Sequence, residues 1–263
     1  MPRKYVRKIR GGNLIKISVC TLPNPQDPQK VRNAKSKATT ELQQLMNDKA
    51  AESKLEFLIA ANFFKGDYFI TLTVKDEFLP AAESKESEKK QIIKSRISKL
   101  LAAYRKVRKN RGELLKYIYV CEGMNGESRY NYHLIINAVK EKQIAKVKEE
   151  IESLWPYGAI NITYLFTGKH KETSYADISH YLVKENTGKR VGERLWTPSK
   201  NLEKPEIEHY WIESDQAIIP PQEALIYDKK QNIVIDRYGW YEYFKYMLRP
   251  QAEDYRPRGK KRE

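Results

Sequence analysis

Three side chains in one short stretch, Glu122, Asn131 and His133, could hold a divalent cation between them. They lie in YIYVCEGMNGESRYNYHLIIN, residues Tyr117–Asn137. Asn131 and His133 are two apart, so on a strand they share one face while Tyr132 and Leu134 share the other. Glu122 closes the preceding apolar run and can sit beside them. A carboxylate, an amide oxygen and an imidazole on one surface suit a hard cation such as Mg²⁺ or Mn²⁺. Farther along, Tyr181 and Lys184 are three apart in a helical pattern, and Asp177 lies four before Tyr181 on the same side. A tyrosine can attack a DNA phosphodiester and hold the cut end covalently if its phenol is aligned and a cation polarises the phosphate. A free phenol titrates at about 10, so it needs that help, and a neighbouring lysine can offset phosphate charge. Each residue also has a plainer role. Tyr181 fits a position packed under a sheet with Leu182, and Lys184 a solvent-facing one. Asp177 fits a capping box with Ser174. His133 fits an ordinary sheet histidine, and Glu122 the closure of a hairpin loop. His180 points about 100° around the helix from Tyr181 and reads as structural or surface.

The elements that must position these groups follow from the patterning. Tyr117–Val120 and Tyr132–Ile136 are β-branched and aromatic runs around a polar loop with Gly123, Asn125 and Gly126, which predicts a hairpin. Before it, YFITLTV (Tyr68–Val74) reads as a strand. A helix from about Glu83 to Lys109 follows, with Ile92, Ile93, Ile97, Leu100, Leu101, Tyr104 and Val107 at threes and fours. Its Lys and Arg face is a solvated face or a DNA contact. After the hairpin come a helix over about Lys140–Leu154, a strand over Ala159–Leu165 and a short helix from Tyr175 to about Lys184. The order β-α-β-β-α-β predicts an α+β fold: one antiparallel sheet of the ferredoxin-like, split βαβ type with two helices on a single face. The opposite face, assigned to Asn131 and His133, is expected to stay free.

Three domains are expected: 1–65, a basic arm with a helical accessory region; 66–205, the central domain; and 206–263, a C-terminal extension with a basic tail. Within these, residues 1–13 are expected to be a flexible arm, Leu14–Leu22 a short strand and about Val31–Phe57 helical. Leu225–Tyr227 and Ile233–Ile235 are expected to pair around Lys229–Asn232, and the cluster Trp240, Tyr241, Tyr243, Phe244 and Tyr246 to lie on a docked helix.

Of 263 residues, 49 are Lys or Arg against 34 Asp or Glu, a formal charge of +15. In a chain that is 40% hydrophobic, that balance points to a globular protein with a polyanionic partner. Eighteen tyrosines suit stacking on unpaired bases, though most are structural. No run approaches the roughly 20 apolar residues of a membrane span, and MPRKYVRKIR has no apolar signal core, so a cytoplasmic protein without a membrane partner is expected. Cys20 and Cys121 lack metal-type spacing and read as free thiols.

The sequence resembles the HUH endonucleases, specifically the rolling-circle replication initiator (Rep) proteins of small phages, plasmids and mobile elements. Tyr68–Val74 resembles the first Rep motif, F-x-T-L-T. Asn131-Tyr132-His133 resembles the second, His-hydrophobic-His, with Glu122 matching the acidic residue of the preceding strand. Tyr181-Leu182-Val183-Lys184 resembles the third, Y-x-x-K. Trp196–Asn201 is similar to a W-x-x-S-[RK]-N stretch of phage-type relatives. The likeness covers about Gly66–Pro205 and departs at Asn131, where the family has histidine. It implies single-stranded DNA nicking and joining through a 5′-phosphotyrosine on Tyr181, supported by Lys184. It also implies a cation on Glu122, Asn131 and His133, and an origin presented as a single strand or hairpin. Lys189, Arg190, Arg194 and Lys200, clustered after the helix, are the expected backbone contacts. Host helicase and polymerase are implied partners, in a bacterial cell. The alternatives are a catalytically weakened domain that only binds DNA, a relaxase or transposase of the same superfamily, and an RRM-like RNA-binding domain. The last is disfavoured by Asn131 and His133 on the hairpin face, while Tyr130 and Tyr132 speak for it.

Overall fold

The computed structural model describes residues 3–20, 41–81, 83–123, 130–139, 144–166, 174–184, 195–222, 224–235 and 239–248. The elements, in chain order, are β1 (Arg3–Gly11), β2 (Leu14–Cys20), α1 (Glu41–Asn62), β3 (Tyr68–Thr73), α2 (Glu86–Asn110), β4 (Tyr117–Glu122), β5 (Asn131–Ile136), α3 (Ile144–Glu152), β6 (Ile160–Tyr164), α4 (Ser174–Lys184), β7 (Thr197–Pro198), β8 (Glu206–Glu213), β9 (Leu225–Ile235) and β10 (Gly239–Met247). They form two compact units. One takes the chain up to Ala61 and again from Glu203; the other is built on Asn62–Leu202.

The second unit is α+β. Its antiparallel sheet runs β6-β3-β5-β4-β7, so β5 is inserted between β3 and β4, as in a split βαβ unit. Alternation decides the faces. Tyr68, Ile70 and Leu72 of β3, Tyr119 and Cys121 of β4, and Tyr132, Leu134 and Ile136 of β5 point to one side. There they bury against Ile93, Ile97, Leu100, Leu101 and Tyr104 of α2 and Val147 and Ile151 of α3. The apolar threes and fours of α2 are what that packing uses. The Tyr132 hydroxyl donates to the Ile93 carbonyl at 2.9 Å and ties sheet to helix.

The opposite face is not free, contrary to expectation. Ile118, Val120, His133 and Ile135 alternate with the core residues and are buried as well. Tyr181 of α4 meets this face through ring contacts with Phe69 and His133. Unbroken apolar runs such as Leu134-Ile135-Ile136 reflect a strand covered on both sides.

The first unit is a second antiparallel sheet, in the order β8-β1-β2-β10-β9, with α1. Its core is Val6, Ile15, Ile17, Val19, Phe244 and Tyr246. Three expectations are corrected here. Residues 3–11 are a strand rather than an arm, because they have a partner on each side: β2 across the Gly11-Gly12 turn, and the sequence-remote β8, with Lys8 bound to Glu208 at 3.2 Å. The aromatic cluster of 240–246 is β10 rather than a helix, since Phe244 and Tyr246, two apart, reach the core together. Leu225–Ile235 is one continuous strand along β10, with no turn at Lys229–Asn232. The helix expected over Val31–Phe57 is seen as Glu41–Asn62; residues 31–40 lie outside the described ones. At the β1–β2 turn, Gly12 has φ 56°, and the backbones of Gly11 and Gly12 lie so close to the carbonyls of Phe57 and Ala60 that a Cβ would collide.

Candidate functional site

Register assembles the site on the α4 side of the second unit's sheet. Glu122 lies opposite Asn131 across β4 and β5, and His133 lies opposite Val120 on one flank and Thr71 on the other. All of these point to the face that α4 meets. Glu122 Oε2 stands 2.9 Å from Asn131 Nδ2 and 2.9 Å from His133 Nε2, so the three side chains converge on one carboxylate oxygen. The imidazole is only 3% exposed. Its far nitrogen, Nδ1, is 3.2 Å from Thr71 Oγ1, and Phe69 stacks on the ring at 6.0 Å.

The tyrosine arrives from α4. Asp177 in the first turn and Lys184 in the last complement the helix dipole, and Leu182 and Val183 bury one side of the helix. That burial turns Tyr181 so that its hydroxyl is 3.4 Å from His133 Nε2, with the two rings edge to face at 5.2 Å. Tyr181 as a residue remains 41% exposed. Burial raises the Tyr132 and Tyr119 phenols of the core face above the ordinary phenol range. Burial, with the Asp67 charge adding, pushes Tyr175 up to about 12.

The structure thus brings Glu122, Asn131, His133 and Tyr181 together. Lys184 is exposed in the last turn of α4, and Asp177 is exposed in the first. Lys189, Arg190 and Arg194 lie outside the described residues. Lys200 is exposed beside β7. The segment it belongs to is anchored on β4: Ser199 exchanges hydrogen bonds with the Tyr117 backbone at 2.8 and 3.1 Å, and the Asn201 amide donates to the Leu115 carbonyl at 3.2 Å. Phe69 and Thr71 also touch the site; the sequence places both in the F-x-T-L-T strand without assigning them a site role. Their signal was present in Phe69-Ile70-Thr71, two residues apart and therefore on one strand face. Only the β3–β5 register shows that this face is His133's.

Among the described residues no three or more His, Cys, Asp or Glu side chains stand together as a metal-binding group. A cation here would therefore depend on the Asn131 amide as a donor. The amide now turns its nitrogen to Glu122, and half a turn about its last torsion would present the oxygen to the same point. Two oxygen donors and one imidazole fit Mg²⁺ or Mn²⁺ better than a thiol-seeking metal.

Residues 67–186 match the model of the family Replication-associated protein ORF2/G2P, which is under half of the chain but most of the second unit. No curated protein and no solved structure matches the chain. The family match supports a role in replication initiation. No described helix is long and apolar enough to cross a membrane.

Proposed function

We propose that this protein nicks and rejoins single-stranded DNA through a 5′-phosphotyrosine on Tyr181 to start rolling-circle replication. One observation carries the reading: the Tyr181 hydroxyl sits 3.4 Å from His133 Nε2, at the point where Glu122 and Asn131 also converge. A nucleophile beside a carboxylate–amide–imidazole cluster is the arrangement a phosphoryl transfer needs. Glu122, Asn131 and His133 would hold Mg²⁺ or Mn²⁺, which when bound polarises the phosphate and offsets charge on its non-bridging oxygens.

The chain's own residues do the rest. Thr71 holds the imidazole from behind and Phe69 supports its face. Tyr181 gives up its phenolic proton as its oxygen bonds to phosphorus; the bond to the 3′ oxygen breaks, and that oxygen gains a proton. Lys184 supports the phosphate. The freed 3′ hydroxyl primes synthesis by a host polymerase behind a helicase. Attack of a later 3′ hydroxyl on the phosphotyrosine restores the phenol and rejoins the strand. Lys200, with Lys189, Arg190 and Arg194, steers the DNA backbone.

The test is covalent capture. Wild-type protein, labelled single-stranded origin DNA and Mn²⁺ are expected to give a slow-migrating species on a denaturing gel. Tyr181→Phe is expected to abolish it without loss of DNA binding. A wild type that binds DNA but forms no adduct with any divalent ion would favour the non-cleaving reading, for which Asn131 in place of histidine is the motivating feature.

A further inference from the structure

We propose that the β1–β8 edge of the first unit's sheet is a second binding surface, for single-stranded DNA. This inference goes beyond the cleavage reading and does not depend on whether Tyr181 cuts. The core residues Val6, Ile15, Ile17, Val19, Phe244 and Tyr246 occupy one face of that sheet. The register puts Arg3, Tyr5 and Arg7 of β1 and His209 and Trp211 of β8 on the other, with Tyr5 opposite Trp211 and Arg7 opposite His209.

The rings there are already ordered. Tyr5 stacks on His209 with centroids 5.7 Å apart and an interplanar angle of 20°, and their polar atoms meet at 2.5 Å. Trp211 packs edge-on to Tyr5 at 5.3 Å, yet 52% of it remains open to solvent. A tryptophan held on one side and open on the other can stack a base with little ordering cost. Such stacking is indifferent to sequence because every base has a π-face.

Charge selects the occupant. Arg7 is exposed and carries no ion pair among the described residues. Arg3 pairs with Glu213 at 3.4 Å, but both side chains are well exposed, so the pair is weak and can yield to a phosphate. A phosphodiester backbone with unpaired bases answers both features: phosphates for the arginines and bases for the rings. A duplex hides its base faces. A second copy joining along β8 would have to accommodate Glu206, Glu208 and Glu213, charges of the kind that keep edge strands from pairing. DNA rather than RNA follows from the replication-family match of the second unit.

The full chain is titrated with labelled oligothymidine, oligouridine and a duplex of equal length. Trp211→Ala is expected to weaken oligothymidine binding by about fivefold to 100-fold, and Trp211→Phe to restore most of it. Circular dichroism and duplex binding are expected to be unchanged. Arg7→Ala, at a surface position, is expected to reduce the slope of log affinity against log salt by about 0.7. Ultraviolet crosslinks to oligothymidine are expected in β1 or β8 peptides. The proposal is overturned by unchanged affinity in Trp211→Ala, by crosslinks confined to the second unit, or by tighter binding of oligouridine. It is equally overturned if Trp211→Ala turns a dimer into a monomer while DNA affinity stays constant.

Discussion

Replacing Thr71 with valine removes one hydroxyl and leaves the shape of the side chain almost unchanged. That hydroxyl lies 3.2 Å from His133 Nδ1. With Nε2 directed at Glu122 Oε2 and His133 only 3% exposed, Nδ1 has no other hydrogen-bond partner among the described residues. The hydroxyl can donate to Nδ1 or accept from it, so it serves either imidazole tautomer; a cation on Nε2 requires the proton on Nδ1. Valine leaves that nitrogen buried without a partner, which costs about 1–3 kcal/mol. Loss of such an orienting contact typically costs about 10- to 100-fold in metal affinity or activity. The assays are urea unfolding, read as a lower midpoint at constant slope, and the adduct rate across a Mn²⁺ titration, read as a higher half-saturating concentration. Thr71→Ser keeps the hydroxyl and is expected to preserve both. If Thr71→Val shifts neither the unfolding midpoint nor the Mn²⁺ dependence, the hydroxyl does not hold the ring and the account of the site is wrong.

Two other outcomes can be checked directly. Asn131→His supplies an imidazole where the amide now meets Glu122, so it is expected to tighten Mn²⁺ binding measured by calorimetry; unchanged affinity would remove position 131 from the donor set. Gly158→Ala pushes a Cβ into the Thr73 carbonyl at the end of β3, the strand position opposite Asn131, and is expected to lower stability by about 1–3 kcal/mol in thermal melts and to slow adduct formation.

Much of the second unit was written locally. Alternation in Tyr68–Thr73 and Asn131–Ile136, the threes and fours of α2, and two-residue spacing from Asn131 to His133 are short-range patterns, and strand and helix geometry converts them directly into faces. The core of that unit, the antiparallel sheet and the pairing of Glu122 with the hairpin follow from them. The Y-x-x-K spacing also singled out Tyr181 with Lys184; the fold then buries Leu182 and Val183 and leaves Tyr181 partly exposed.

Other features depend on partners far away in the chain. Charged β1 pairs on one side with β2 across the Gly11-Gly12 turn and on the other with β8, some two hundred residues later, which supplies countercharges such as Glu208 for Lys8; no local pattern announces that second partner. Aromatic β10 could equally have been a helix until β2 and β9 took its two edges. The same holds at the site. Sequence named a carboxylate, an amide, an imidazole and a phenol as separate candidates. Thr71 and Phe69 joined them only through strand register, and the 3.4 Å between Tyr181 and His133 exists only because α4 folds back over the sheet face. Spacing determines which way a side chain points, and tertiary packing decides what it meets.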